Sequence, residues 1–434
     1  MEKWRNSGDR LSGFMESGIY RFENSNAVFL DPVRVLNRSY TRFRVSPRAY
    51  YSRFFDSKDD HQETTVPSSS KKRKRKEKKT PALNDRERAA EHRHQQVRPR
   101  LLKAHESLIE AADLLAIMRN LRGDSCSPTE CKNLSRNCAQ QSLAELGRVW
   151  QAPLYDITLN FPQQGPRRYP PSEDGGGPID QCGQQRVLPA FNNLVVNETS
   201  DDVEADFLDR NYIIPRDSCF YMSDLEQIHN LCPAECTYGF NIIVVDPPWE
   251  NASARQKLVY STLPNRYFLS LPIKQLTHED GALVALWVTN REKCRTFVEK
   301  ELFPAWGVTY AASIYWLKVK PDGSLISDLD LFHHRPYECL LLGYCNCKGM
   351  DSEWLSSLRH VKDDQVIISI PGDYSRKPPL GGLLLEHVPG RKLARCLELF
   401  AREMIAGWIS WGNEPLHFQE SGYFIRDDID YIST

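Results

Sequence analysis

The chain has 434 residues, of which 41% are hydrophobic and 10% aromatic, and its formal net charge is −1. This length excludes a single ordinary domain and predicts two or three, with enough apolar residues for a sizeable core. The sequence shows no signal peptide and no run of 18 apolar residues, so we expect no segment to span a membrane.

The charge is distributed unevenly along the sequence. Residues 1–100 hold 24 Lys and Arg against 13 Asp and Glu, a net charge of +11. The remaining 334 residues hold 32 against 44, a net charge of −12. A basic leading segment on an acidic body indicates a contact with a nucleic acid or an import receptor at the front of the chain.

The cysteine spacing gives no indication of a metal site. The chain has twelve cysteines, and the close pairs Cys232/Cys236 and Cys345/Cys347 have no matching second pair. Structural zinc sites usually need two such pairs or a pair with histidines. We therefore expect no metal and reduced thiols, as in a cytosolic or nuclear protein.

Residues 1–62 form the first predicted region, in which aromatic residues are interleaved with arginines. Examples are Arg42-Phe43-Arg44 and Arg53-Phe54-Phe55. This pattern suits stacking on unpaired bases together with contacts to phosphates. It is equally typical of a small aromatic core with arginines at its rim, and the sequence leaves both interpretations open. The apolar stretch 27–30 predicts a short strand.

Residues 63–83 are predicted to be a disordered linker, because like charges at high density repel one another. Its basic run starts at Lys71, ends at Lys79, and contains eight Lys or Arg and one Glu. We interpret this run as a nuclear-import signal that binds an import receptor, with a solubilising tail as the alternative. The expected location is the nucleus, with the cytoplasm and the mitochondrion left open as further locations.

Residues 84–204 are predicted to be a helical middle region with a flexible loop. Apolar residues recur every three or four positions from Leu101 to Met118, which gives a helix one apolar face, and Gly123 ends it. The loop is expected at residues 162–185, which are rich in Gly, Pro and polar residues. We expect the helix to dock on the domain that follows.

Residues 205–434 are predicted to be an α/β domain. Apolar runs of strand length recur there, and helical stretches such as 291–302 and 377–387 lie between several of them. This alternation indicates βα units and a mostly parallel sheet. The apolar runs are 242–245, 282–288, 313–317, 339–342, 366–370, 397–400 and 408–411.

The run 242–245 leads directly into the motif Asp246-Pro247-Pro248-Trp249. Its β-branched residues predict a strand that is buried on both faces. The strand must stop at the two prolines, because proline cannot donate to a sheet ladder. The Asp246 carboxylate is therefore expected at the carboxyl end of a central strand, where open α/β sheets bind ligands.

This motif resembles the catalytic motif of the MT-A70-like adenine-N6 methyltransferases. The resemblance runs from about Tyr221 to Phe418, and other matching blocks are Leu286-Trp287-Val288-Thr289, Leu399-Phe400-Ala401-Arg402 and Trp411-Gly412-Asn413. The N-terminal part with its lysine-rich run resembles the subgroup called methyltransferase-like protein four. The resemblance implies a Rossmann-like, S-adenosylmethionine-dependent methyltransferase sheet with helices on both faces and a permuted motif order. It also implies an active subunit, because the family's pseudo-enzymes lack an intact motif.

The implied chemistry is methyl transfer to the exocyclic amine of adenine, whose lone pair is delocalised into the ring. Hydrogen-bond acceptors can hold the two N–H groups and aim the nitrogen at the methyl group. The Asp246 carboxylate and the Pro247 carbonyl suit this role, because Pro247 and Pro248 fix the backbone around them. Trp249 and Tyr260 can stack on the base or wall the pocket. A single-stranded or unpaired adenosine is the easier substrate, since a paired base would have to be flipped out.

The resemblance also implies which residues hold the cofactor, S-adenosylmethionine. Cofactor contacts fall on Asp246, Lys377, Arg402 and Asn413, and Asp224 is a candidate contact for the adenine edge. Lysine can pair with the methionine carboxylate, while arginine and asparagine can bind ribose hydroxyls.

For the substrate, the resemblance implies RNA, at an internal 2′-O-methylated adenosine of U2 small nuclear RNA. His334 and Glu338 match a family block near the substrate, although each can equally be a structural polar residue. The chain departs from the family in having Ala401 before Arg402, where Gly-Arg is usual, and in lacking the mRNA enzyme's Cys/His fingers. A DNA adenine-N6 methyltransferase is the alternative, and a non-catalytic RNA-binding scaffold is the second alternative.

Overall fold

The computed structural model describes residues 7–52, 84–123, 143–148, 151–162, 184–250, 262–332, 334–346, 365–373, 375–388 and 394–427. The predicted linker 63–83 with its basic run and the predicted substrate residue Tyr260 lie outside the described residues. No helix in the described ranges is both long enough and apolar enough to cross a membrane.

The described elements alternate between strands and mostly short helices. The strands are β1 (Ile19–Arg21), β2 (Ala27–Leu30), β3 (Phe43–Val45), β4 (Asp156–Asn160), β5 (Gln185–Pro189), β6 (Leu194–Asn197), β7 (Val203–Phe207), β8 (Arg210–Ile214), β9 (Ser218–Met222), β10 (Ile242–Val245), β11 (Ala282–Val288), β12 (Val308–Lys318), β13 (Tyr337–Cys345), β14 (Val366–Ser369), β15 (Cys396–Leu399), β16 (Trp408–Gly412) and β17 (Phe424–Arg426). The α-helices are α1 (Ser7–Ser17), α2 (Pro32–Asn37), α3 (Pro47–Tyr50), α4 (Asp85–Glu110), α5 (Ala112–Arg119), α6 (Leu143–Leu146), α7 (Ile273–Leu276), α8 (Glu292–Phe297), α9 (Phe303–Trp306) and α10 (Gly381–Leu384). A π-helical stretch, Val298–Leu302, joins α8 to α9.

An eleven-stranded sheet forms the centre of the molecule, in the order β1-β2-β14-β12-β13-β11-β10-β15-β16-β9-β6. Strands β11, β10, β15, β16 and β9 run parallel to one another. Strand β13 is antiparallel to both of its neighbours, β11 and β12. The predicted α/β class with a mostly parallel sheet is confirmed, and each of the seven predicted apolar runs lies in or overlaps a strand.

Strand β10 has the burial that its composition predicts, since all four residues are buried. Ile243 and Val245 pack into one apolar cluster with Trp306 of α9. Val244 points the other way, into a cluster with Leu383 of α10. Helices therefore cover both faces of the sheet, as a run without polar alternation predicts for a parallel strand.

The N-terminal region contributes directly to the central sheet. Strand β2 pairs in parallel with β14, and β1 pairs with β2 as the edge strand. The aromatic residues Phe14, Tyr20 and Tyr50 are buried in one core cluster. Arg42 lies at the margin of this core, in an ion pair with Asp202. In the described part of the region, the aromatic residues are thus core residues with arginines at the rim.

The middle region contains the expected long helix and, beyond it, a second sheet. Leu101, Ala104 and Leu108 of α4 are buried on its apolar face. Strands β4, β5, β7 and β8 then form a four-stranded antiparallel sheet in the order β5-β4-β7-β8. In the sequence of β4, the apolar residues Ile157 and Leu159 alternate with polar residues, which is the pattern of a strand with one buried face. Both apolar residues are buried in the structure. The predicted helical character therefore holds for residues 85–119, whereas the described residues of 156–197 contain strands. Strand β7 (Val203–Phe207) crosses the domain boundary predicted at residue 204.

Candidate active site

The motif that follows β10 is held in place by hydrogen bonds from three other segments. The Asp246 N–H donates to the carbonyl of Leu399 (3.2 Å), and the Leu263 N–H donates to the carbonyl of Pro248 (3.0 Å). The indole N–H of Trp249 donates to the carbonyl of Trp287 (2.7 Å), at the end of β11. The loop is thus fixed to both parallel neighbours of its own strand, which leaves the Asp246 side chain at a defined place on the sheet edge.

Trp249 was predicted to stack on a base or to wall the pocket, and its position is that of a wall. Its side chain is only 6% exposed, and its ring meets the Phe268 ring edge-on with centroids 5.2 Å apart. An indole packed this way with its N–H bonded has little surface left for stacking. The exposed part of the Trp249 side chain lines an open cleft.

Asp246, Glu338, Lys318 and Lys377 form a compact ion-pair network, which we call the paired wall. The Lys377 ammonium lies 3.1 Å from Asp246 Oδ1 and 3.4 Å from Glu338 Oε2. The Lys318 ammonium pairs with the other oxygen of Glu338 and lies 4.3 Å from the centroid of the Trp316 ring. The residue predicted to hold the cofactor carboxylate therefore contacts the predicted catalytic acid directly.

The ion pairs of the paired wall shift the pKa values of Glu338 and Lys377. Burial opposes the charge of Glu338, but the ammonium groups of Lys318 and Lys377 outweigh it and lower the pKa of Glu338 to about 2. Burial likewise works against the charge of Lys377, but Asp246 and Glu338 raise its pKa above the ordinary lysine value. The Glu338 carboxylate and the Lys377 ammonium thus each favour the charged form of the other.

Asp224, Arg402 and Asn413, which we call the open wall, lie at the carboxyl ends of neighbouring strands. They follow β9, β15 and β16. The Asp224 carboxylate makes no capping hydrogen bond to the turn that follows it. Burial, assisted by Glu226, raises the pKa of Asp224. Asn413 is exposed, and the Arg402 guanidinium lies 5.3 Å from the centroid of the Phe418 ring.

Both walls border one open cleft of about 1740 Å³. This exceeds the roughly 300–1,000 Å³ of a site for one small molecule, so a cofactor and a nucleotide can occupy it together. His334 lies on its rim with an exposed side chain and a left-handed backbone (φ 62°). The predicted site residues that line the cleft are Asp224, Asp246, Pro247, Pro248, Trp249, His334, Glu338, Lys377, Arg402 and Asn413.

Two residues beside the site were missed from the sequence. Lys318 could not be found, because its pairing with Glu338 depends on the β12–β13 register, in which Trp316 lies opposite Glu338. Glu398 is an acid inside the apolar strand β15, and it lines a small cavity behind Asp246. Burial, strengthened by the nearby Asp246 charge, raises the pKa of Glu398 to about 8. Its signal was visible as one acid in a run of buried residues.

The chemistry of the side chains fits a sulfonium nucleoside such as S-adenosylmethionine. Asp224 offers a carboxylate acceptor for the amino group of an adenine ring, and Lys377 a cation for an amino-acid carboxylate. Asn413 and Arg402 offer donors suited to ribose hydroxyls. Among the described residues, no group of three or more His, Cys, Asp or Glu is arranged to hold a metal ion.

Comparisons with known proteins point to one family. The MT-A70 family profile matches residues 240–414. The chain is 38% identical over 242 residues to the mouse N(6)-adenine-specific methyltransferase METTL4, which covers 55% of this chain and 50% of the relative. It is 31% identical over 286 residues to the N6-methyladenosine RNA methyltransferase MTA1 of Pyricularia oryzae, which covers 63% and 72%. It is 32% identical over 222 residues to a Caenorhabditis elegans DNA N6-methyl methyltransferase, which covers 50% and 56%. The match thus spans about half the length of the mouse relative.

Proposed function

This chain belongs to the MT-A70 family, and from that premise we propose that it transfers a methyl group from S-adenosylmethionine to the N6 amine of an adenine. The observation that carries the proposal is the placement of Asp246. Its carboxylate stands at the carboxyl end of a central parallel strand, inside the Asp246–Trp249 motif and at the border of the cleft. The relatives named above are N6-adenine methyltransferases by name, which supports the same chemistry here.

The role of Asp246 in this reaction is to accept a hydrogen bond from the adenine amine. Together with the Pro247 carbonyl it aims the nitrogen, whose lone pair is otherwise delocalised into the ring. Asp246 need not be a strong base, since the amine proton becomes acidic only as the new bond forms. When bound, S-adenosylmethionine supplies an electrophilic methyl group. The Lys377 ammonium, 3.1 Å from Asp246 Oδ1, forms an ion pair with this carboxylate and orients it.

Cofactor binding is assigned to both walls. Asp224, Arg402 and Asn413 would hold the adenosine part, and Lys377 would hold the amino-acid carboxylate. Glu338 orients the Lys377 ammonium from the other side (3.4 Å). His334 lies at the substrate rim of the same cleft. The roles of these side chains, and that of Tyr260 outside the described residues, are part of the proposal.

The proposed substrate is single-stranded RNA, and more narrowly an internal 2′-O-methyladenosine of U2 small nuclear RNA. The narrower proposal follows from what the resemblance to the methyltransferase-like protein four subgroup implies, and the 38% identity to the mouse relative supports that subgroup. The exposed Arg291 side chain lines the cleft and suits a phosphate contact. DNA is the alternative substrate, favoured by the similarity to the worm DNA methyltransferase.

The experiment that tests the proposal is methyl transfer from labelled cofactor to matched oligonucleotides. Four single strands of one sequence would differ only at the target adenosine or its backbone: RNA, RNA with a 2′-O-methyl group, DNA, and RNA with the adenosine replaced by guanosine. The expected order of turnover is 2′-O-methyl RNA above RNA above DNA, with none for guanosine. Equal or higher turnover on DNA would move the assignment to DNA, and no turnover on any strand would favour the non-catalytic scaffold.

We further propose a nuclear location set by the basic run between Lys71 and Lys79. Eight positive charges in nine residues, after a serine-rich stretch, suit an import receptor. The cytoplasm and the mitochondrion are the alternative locations, and imaging of the tagged protein distinguishes them.

A further inference from the structure

Arg376, the residue before Lys377, is held in a way that its neighbour is not. Its side chain is 3% exposed, and its guanidinium carbon lies 4.2 Å from the centroid of the Tyr50 ring and 4.2 Å from that of Phe418. A third ring, Tyr423, lies 6.0 Å away. Cations near aromatic faces at such distances are attracted by the ring quadrupole, more so when water is excluded.

The hydrogen bonds of Arg376 do not saturate its guanidinium. Two of its nitrogens pair with the Glu403 carboxylate, with Nε 3.2 Å from Oε2. Nη1 is buried and has no hydrogen-bond partner among the described residues. A buried donor without an acceptor costs stability. The Glu403 ion pair and the ring contacts together offset this cost and hold the side chain in place.

The three rings come from the two ends of the described chain. Tyr50 belongs to α3 in the N-terminal region, while Phe418 and Tyr423 lie in the last described segment. Strands β3 and β17 pair with each other, and the Ser46 N–H donates to the carbonyl of Tyr423 (2.8 Å). The aromatic cluster around Arg376 therefore exists only when both ends of the chain are in position.

The segment between β14 and α10 is fitted closely to this cluster. A side chain at Gly372 would place its Cβ 2.9 Å from the Tyr50 ring, so Tyr50 packs against bare backbone there. The Arg376 N–H donates to the carbonyl of Asp373 (3.1 Å), and Ser375 has a left-handed backbone (φ 58°). A non-glycine residue keeps such a backbone only where its surroundings enforce it. The buried Arg376 side chain follows this turn directly in the sequence.

We propose that Arg376 is a positioning residue for the cofactor site, and that the N-terminal region acts on that site through Tyr50. The ring cluster fixes Arg376, Arg376 fixes the turn at Ser375, and the turn directs Lys377 to Asp246 and Glu338. This inference rests on the proposed function, because it takes Lys377 as a cofactor ligand. It gives the N-terminal aromatic residues a role in cofactor affinity that is separate from any contact with nucleic acid.

The test uses the full chain and substitutions that separate ring, charge and fold. Tyr50→Leu removes one face of the cluster, and Arg376→Met removes the guanidinium. Phe14→Leu is the matched control, because Phe14 is equally buried in the same core cluster but contacts Arg34 and not Arg376. Tyr50→Phe keeps the ring and is the conservative rescue. Each variant is measured by thermal melting, by calorimetry with S-adenosylmethionine, and by turnover against cofactor concentration.

The expected result is a cofactor Kd and KM raised about tenfold in Tyr50→Leu and more in Arg376→Met, the size of losing a desolvated cation–π contact. Turnover at saturating cofactor should fall by a smaller factor than cofactor affinity in both variants, because Asp246 itself is not altered. Phe14→Leu should melt at least as early as Tyr50→Leu but bind the cofactor normally, and Tyr50→Phe should match wild type.

Equal cofactor affinity in Tyr50→Leu and wild type would overturn the proposal, and so would an equal loss in Phe14→Leu. If Arg376→Met does not fold, the comparison of Tyr50→Leu with Phe14→Leu still decides. Failure of the wild-type chain to bind the cofactor would instead remove the proposed function. The two failures are therefore distinguishable.

Discussion

The two walls of the cleft differ in how their predicted site residues are arranged. On the paired wall, Asp246 and Glu338 already share the ammonium of Lys377. On the open wall, the Asp224 carboxylate caps nothing and Asn413 is exposed. Preorganised charges lower the cost of reaching a transition state. The uncapped Asp224 carboxylate and the exposed Asn413 amide can form hydrogen bonds to a bound ligand. The paired wall therefore holds the predicted catalytic acid and one predicted cofactor contact in ion pairs, whereas the open wall carries predicted cofactor contacts alone.

The largest effect on activity is expected from the substitution Asp246→Ala in the paired wall. We expect turnover to fall at least about 100-fold, because one positioned acceptor for the amine is lost. Folding and cofactor binding should remain largely intact, since Lys377 keeps Glu338 as a partner. Single-turnover methyl transfer at saturating cofactor measures the effect. Activity within a few-fold of wild type would remove Asp246 from the chemical step.

The second prediction compares one substitution in each wall, Lys377→Ala in the paired wall and Asn413→Ala in the open wall. Each should weaken cofactor binding by about 1–3 kcal/mol, the usual value of a charge-assisted or polar contact. Only Lys377→Ala should also lower turnover at saturating cofactor, because it removes the cation beside Asp246. Calorimetry and steady-state kinetics on both variants, with RNA affinity as the control, separate the two effects. Unchanged cofactor affinity in both would take them out of the site.

Much of the fold and part of the site could be predicted from the sequence. Strand β10 and its motif were visible because a run of β-branched residues and two prolines act locally. The partners of Arg376 were not, since Tyr50 and Phe418 lie hundreds of residues apart and meet only in the folded chain. Lys318 could not be identified for a related reason, because its pairing with Glu338 depends on the register between β12 and β13. The catalytic and binding roles of the site residues stay predictions.

A smaller effect, on stability, is expected from Glu398, which lines the small cavity next to Asp246. Its pKa is raised to about 8, mainly by burial, so the folded protein holds this proton more tightly than the unfolded chain. The contribution to stability is full below the ordinary Glu pKa near 4.5 and is lost as the pH rises through about 8. We expect the melting temperature of wild type to fall between pH 5 and pH 9 more than that of Glu398→Gln. Parallel slopes for the two proteins would contradict this.

The smallest expected effect on catalysis comes from a segment outside the described residues. Deleting residues 68–80 removes eight positive charges and should move the protein from nucleus to cytoplasm. Cofactor affinity and most of the turnover on a short RNA should remain. Any loss of RNA affinity should shrink as salt rises, because screening weakens polybasic contacts with phosphate. Unchanged imaging, or a collapse in turnover that saturating RNA cannot rescue, would overturn the interpretation of the run as an import signal.

The pairing of β2 with β14 has a consequence for how the molecule is made. Val28 lies beside Ile367, so about 340 residues leave the ribosome between the two halves of this contact. Contacts of such high sequence separation form slowly, because a long loop must close first. All four residues of β2 are buried in the finished sheet, so the edge of this apolar strand that faces β14 has no partner during most of translation. We therefore expect the N-terminal region to dock last, and chains truncated before residue 366 to aggregate when translated without chaperones. Soluble truncated chains that resist proteolysis within residues 19–30 would refute this order of assembly.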